Sequence, residues 1–147
     1  MRVPALIALV VLALTAPACK SRKPVTVDTS EAGDIPREVA LQKLRELLPT
    51  AEYVYCTAPK DTLKAGEVKA YAVRNEAIEI DYGRGKSLIL TYNLVTAVDL
   101  ELVGKYYTAR VFTSLQSDPN KEHFGFQWKQ EDRAKQAVEL LTSLRKK

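Results

Sequence analysis

Cys19, Cys56 and His123 are the side chains best suited to chemistry in this chain of 147 residues, the two cysteines and the one histidine it contains. A Ser-His-Asp or Cys-His device needs its histidine beside a nucleophile. His123 stands at a loop–strand junction, out of phase with Phe124 and Phe126, which predicts an exposed strand histidine. Zinc asks for three or four His, Cys or acidic ligands, and Cys56 with His123 falls short, so no metal and no cofactor is expected. Glu79 and Asp81 lie two apart in one strand, opposite Ile78 and Ile80. Paired carboxylates can do acid–base work, but such alternation more often marks a solvent face. The residue types point away from catalysis.

Three other residues are candidates for contact with a partner. Gly83-Arg84-Gly85-Lys86 joins glycines to cations, the combination in which free backbone N–H groups and basic side chains meet phosphate. The glycines equally serve a hairpin reversal, so Arg84 and Lys86 are interaction candidates rather than a phosphate site. Tyr106 is out of phase with its apolar neighbours, and its amphipathic ring is expected at the surface. Cys56, in Tyr53-Val54-Tyr55-Cys56, reads as a buried small hydrophobe, with an intermolecular disulfide or redox-sensitive thiol as the alternative.

Composition limits the partners. A chain 46% hydrophobic and 27% charged folds rather than remaining disordered. The 22 Lys and Arg against 18 Asp and Glu alternate along the chain instead of clustering, so nucleic acid is not an expected ligand. The start of the chain is different in kind. Met1-Arg2 is a short positive region, Val3–Leu14 is almost wholly apolar, and Thr15-Ala16-Pro17-Ala18 leads to Cys19 and then Lys20-Ser21-Arg22-Lys23. The apolar stretch is shorter than the ~20 residues a membrane-spanning helix needs.

Residues 1–19 resemble the signal of bacterial lipoproteins, whose usual ending is Leu-Ala-Gly/Ala-Cys; here Ala16 replaces the leucine and Ala18-Cys19 fits. Ala16-Pro17-Ala18 also satisfies an ordinary signal-peptidase site, which would cut at the same place. The resemblance implies a signal peptide over 1–18 and fatty acylation of Cys19, such as by palmitate. It also implies a lipid bilayer as one partner and the cell envelope as the compartment. Lys20, standing where an aspartate would signal retention at the inner membrane, implies the outer membrane facing the periplasm.

The elements that must position these residues follow from periodicity. Residues 19–33 are polar, contain Pro24 and Gly33, and read as a flexible tether that reaches at most ~45 Å when extended. One domain over 34–147 is expected to follow. Asp34-Ile35-Pro36 predicts a helix start with Asp34 as cap, carried by Leu41, Leu44, Leu47 and Leu48 and ended by Pro49. Period-two patterns then recur: Glu67–Arg74, Ile78-Ile80-Tyr82, Leu88-Leu90-Tyr92, Val98-Leu100-Leu102, Tyr107-Ala109-Val111 and Phe124-Phe126-Trp128. Turns at Asn75-Glu76, Gly83-Arg84-Gly85 and Gly104-Lys105 make the sheet antiparallel. A final helix over Glu131–Arg145 carries Ala134, Ala137, Val138, Leu141 and Leu144 on one stripe.

The fold class expected is α+β. It consists of a strongly bent antiparallel sheet or partly open barrel of about six to seven strands, with a C-terminal amphipathic helix packed on it and an extra N-terminal helix. Ile78-Glu79-Ile80, Tyr92–Val98 and Phe124-Gly125-Phe126-Gln127-Trp128 before the last helix resemble a bacterial pleckstrin-homology-like (PH-like) domain. That resemblance implies a terminal helix closing one end of a bent sheet, and a non-catalytic module that binds a protein or peptide of the envelope. A structural accessory subunit of an envelope complex and a carrier of a small apolar ligand are the alternatives.

Overall fold

The computed structural model describes residues 21–58, 60–115, 118 and 122–145, so Cys19 and its leader lie outside the described residues. In chain order come β1 (Arg22–Val25), α1 (Arg37–Leu47), β2 (Tyr53–Thr57) and β3 (Lys60–Lys64). Next are β4 (Ala70–Val73), β5 (Ala77–Gly83) and β6 (Lys86–Thr91), then β7 (Val95–Val103), β8 (Tyr106–Thr113), β9 (Phe124–Trp128) and α2 (Glu131–Arg145). The class is α+β and every strand pairing is antiparallel.

The strand arrangement corrects the expected single sheet of six to seven strands. Among the described residues, nine strands divide between a six-stranded sheet, ordered β1-β7-β8-β9-β2-β3, and a three-stranded sheet, β4-β5-β6. The division falls at Tyr92-Asn93-Leu94, a single 3₁₀ turn that separates β6 from β7. Tyr92 is buried and its hydroxyl donates to Arg74 O, so the chain is fastened there and β7 sets out in the other sheet. The hairpins are tight because the reversals fit: Gly83, Arg84 and Gly85 all take positive φ, as does Gly104.

Two further corrections concern the amino-terminal side. Arg22–Val25 is not open tether but an edge strand, registered Arg22 with Val103 and Val25 with Leu100. The edge of β7 carries unpaired backbone groups, and this segment satisfies them. Arg22 also reaches Glu101 at 3.6 Å, and the Gly104 N–H donates to Ser21 O at 3.1 Å. Val25 at the end of the strand, and Val27 and Ile35 beyond it, pack partly against the core, and Ala32 is fully buried. Nor does Asp34 cap α1. It closes a 3₁₀ turn over Ala32–Asp34, and Pro36 takes the capping position without a side-chain bond.

The core lies between the first sheet and the two helices. Phe124, Phe126 and Trp128 of β9 meet Ala109 and Val111 of β8, Val54 of β2, and the buried face of α2. Leu140, Thr142 and Ser143 of α2 are buried along with the expected stripe, because α1 covers a second side of the helix. Both hydroxyls are satisfied within the helix, Thr142 donating to Val138 O and Ser143 to Leu140 O. The Trp128 indole N–H donates to Thr50 Oγ1 at 3.0 Å, joining the last strand to the turn after α1.

Candidate functional site

A sheet with free edges invites another strand, and most of the edges here are blunted. β1 carries Lys23 and Pro24, and β3 carries Lys60, Asp61 and Lys64. β4 has four residues, and the Arg45 guanidinium covers its Val73 carbonyl with bonds of 3.2 and 3.0 Å. β6 is the exception: it holds no proline, and past Lys86 at the turn Ser87-Leu88-Ile89-Leu90-Thr91 holds no charge. Its neighbour is β5 on one side only.

The hydrogen-bond phase fixes which groups of β6 face that open side. The Tyr92 N–H donates to Glu76 O at 3.0 Å, so the pairs Leu90 with Ile78 and Leu88 with Ile80 exchange bonds in the same phase. The N–H and C=O groups of Ser87, Ile89 and Thr91 therefore point away from β5. Beside them runs an apolar groove of about 380 Å³, floored by Leu88, Leu94 and Phe124 and walled by Ile89, Thr113 and Leu115. Ile89 is 57% exposed and Leu115 74%, two of the three large hydrophobics most exposed among the described residues. Exposed backbone bonding groups and an apolar trough thus lie side by side.

The outer face of the first sheet holds a second cluster. Arg110 forks onto Asp99 at 2.7 and 2.6 Å and reaches Glu101 at 3.4 Å. Burial works against the charge of this guanidinium, but the bonds to Asp99 and the charges of Asp99 and Glu101 hold its pKa above the usual value. Tyr55 bonds His123 Nε2 at 2.8 Å, and Phe112 lies beside the imidazole with ring centroids 5.2 Å apart. His123 is 6% exposed, which corrects the expected surface histidine. It does point outward from β9, but Tyr55 and Phe112 cover that side.

Burial first, and the charge of Glu101 second, push the Tyr55 phenol up to about 12. Gly125, opposite Tyr55 in the register, leaves the space in which the tyrosine ring lies. Cys56 is buried, with its sulfur 3.3 Å from Ala58 O. Glu79 meets Arg74 at 3.4 Å and Asp81 is exposed. Among the described residues, no three His, Cys, Asp or Glu side chains converge in a metal-binding group. No helix among them is long and apolar enough to cross a membrane.

The interaction candidates are not brought together. Arg84 and Lys86 flank the β5–β6 turn around a shallow cavity shared with Lys69, Glu79 and Asp81. Tyr106 belongs to the other sheet, half-buried, with its ring edge-on to Tyr53 at 5.3 Å and the Lys105 ammonium 5.5 Å above it. The groove itself was missed in the sequence, although Leu88-Ile89-Leu90 breaks the strict alternation there and was a signal for it. Comparison with known protein families, with curated proteins and with solved structures gave no match.

Proposed function

We propose that this chain is a lipid-anchored envelope protein with a non-catalytic, PH-like domain that binds an extended segment of a protein partner. The open edge of β6, uncharged from Ser87 to Thr91 and beside an apolar groove, carries this reading. An incoming strand would bond Ser87, Ile89 and Thr91 and lay alternate apolar side chains over Leu94 and Phe124. Strand addition of this kind draws affinity from main-chain bonds and specificity from the trough. The PH-like assignment draws support from the order of elements, antiparallel strands followed at once by a helix packed across β7, β8 and β9. Acylation of Cys19 in the outer membrane, facing the periplasm, rests on the leader alone.

A photoreactive amino acid at Ile89, activated in the native host and followed by mass spectrometry, tests the binding surface. One envelope protein joined through a single extended segment is the expected product, and Leu115→Lys, on the same groove, should abolish its capture. Labelling at Ile89 no greater than at exposed Lys60, or adducts only with further copies of the chain, would sink the proposal.

A further inference from the structure

The described chain begins beside one end of the first sheet, and that end has the chemistry of a bilayer-facing surface. Ser21 is held by the Gly104 N–H at the tip of the β7–β8 hairpin. Only Lys20 separates Ser21 from Cys19, so two residue steps, about 7 Å at full extension, span from the anchor to the hairpin. The ~45 Å of free reach expected of a tether is not available to the domain while β1 is paired.

Strand register brings four lysines to this same end. Lys23 precedes the pairing of Pro24 with Glu101, Lys105 forms the hairpin turn, Lys129 follows Trp128, and Lys64 lies opposite Tyr53. All four are exposed. Two of the neighbouring carboxylates are turned back to the chain. Glu52 accepts from the Lys129 N–H at 3.2 Å and Glu67 from the Lys64 N–H at 2.8 Å. Arg22, Arg133 and Lys135 add three cations at this end and Glu101, Glu131 and Asp132 add three carboxylates, with Arg22 held to Glu101 at 3.6 Å and Lys135 to Glu131 at 2.9 Å. Seven cations against five carboxylates leave a modest positive surplus. Between them stand Tyr53 and Tyr106, half-buried and edge to face. Amphipathic rings flanked by lysines are what a headgroup layer accommodates, rings at the level of the polar groups and ammonium groups on phosphate.

We infer that the β7–β8 hairpin end docks on the anionic headgroups of the bilayer, through these lysines and tyrosines, and fixes the orientation of the domain. The inference rests on Cys19 being the anchor. It makes the anchor short, and it turns the opposite end of the strands toward the compartment. β7 is nine residues long, so its two ends are about 26 Å apart, and the groove beside Thr113 and Phe124 lies at the distal end.

The test uses ¹⁵N-labelled protein expressed from the full chain in a bacterial host. Intact mass reports whether Cys19 is acylated, which judges the anchor by itself. The protein is then placed in nanodiscs of phosphatidylglycerol doped with a gadolinium-chelating lipid; if Cys19 carries no lipid, its thiol is coupled to a maleimide lipid first. Docking is thus read whichever way the mass falls. The amide signals of Gly104 and Lys105 should weaken severalfold relative to those of Asn93 and Ser114. The short anchor alone keeps the hairpin nearer the bilayer, so the contrast should shrink markedly, not disappear, in neutral phosphatidylcholine and in the double variant Lys105→Glu, Lys129→Glu, whose solution spectrum shows whether its fold is intact. Equal weakening at both ends, or a contrast undiminished by charge reversal in a folded variant, would overturn the inference.

Discussion

Tyr71 buries its hydroxyl without a hydrogen-bond partner among the described residues. An unsatisfied polar group taken from water costs free energy that a ring of the same shape without the oxygen avoids. Tyr71→Phe should therefore stabilise the domain by about 1 kcal/mol, read as a higher urea midpoint at unchanged slope. Gly125 is the reverse case. A methyl group there meets the Tyr55 ring, which must leave its place over the strand and break its bond to His123, so Gly125→Ala should cost about 1–3 kcal/mol. A melting temperature unchanged by that substitution would show that the ring gives way freely. Three tyrosines share a third consequence. Burial is the largest cause raising Tyr55, Tyr71 and Tyr92 to about 12 from an ordinary 10.0. Their protonated forms are favoured in the fold, so this contribution is complete below pH 10 and is lost as pH climbs through 12. Urea midpoints should hold steady up to pH 9 and fall steeply above 10, and equal midpoints at pH 9 and pH 11.5 would contradict the assignment.

Elements differ in how plainly the sequence announces them. The hairpins at Gly83-Arg84-Gly85 and Gly104 are legible because positive φ nearly demands glycine, and β9 and α2 because large apolar residues there keep strict period. Alternation also places His123 correctly on the face opposite Phe124, but it cannot tell whether that face is covered, and Tyr55 with Phe112 covers it. β1 is illegible for another reason. Arg-Lys-Pro-Val has no pattern of its own, and the strand exists because the edge of β7 supplies bonds that only the tertiary structure provides. Nor does any local signal reveal the open edge of β6, which is a property of what fails to lie beside it. Removing residues 1–26 should then expose the whole edge of β7, strip Arg22 from buried Glu101 and promote edge-to-edge association. Sedimentation velocity would show dimers or larger species for the shortened chain and a monomer for one beginning at Cys19. A monomer in both cases would mean that β1 does not protect that edge.

Across the whole molecule, a single core ties both sheets to both helices. Ile78, Ile80 and Leu90 of the second sheet, Leu41 and Leu44 of α1, Phe126 and Trp128 of β9, and Leu141 of α2 belong to one contiguous buried cluster. A cluster with no internal boundary leaves neither sheet able to unfold while the other stays intact, so unfolding should be all-or-none. Trp128 makes this measurable, since it is fully buried and stands where β9, the turn after α1 and α2 converge. Its fluorescence reports the core, and far-ultraviolet circular dichroism reports mostly the helices. The two should trace the same transition in urea. Thr50→Val removes the acceptor for the Trp128 N–H and leaves a buried donor unsatisfied, a loss of about 1–3 kcal/mol. Because the transition is shared, that loss should move both traces equally, although Thr50 lies outside both sheets. Were the fluorescence midpoint to fall while the dichroism midpoint stayed, the second sheet and the helices would form a separate unit, and a bilayer-docked end could not hold the groove end in a fixed orientation.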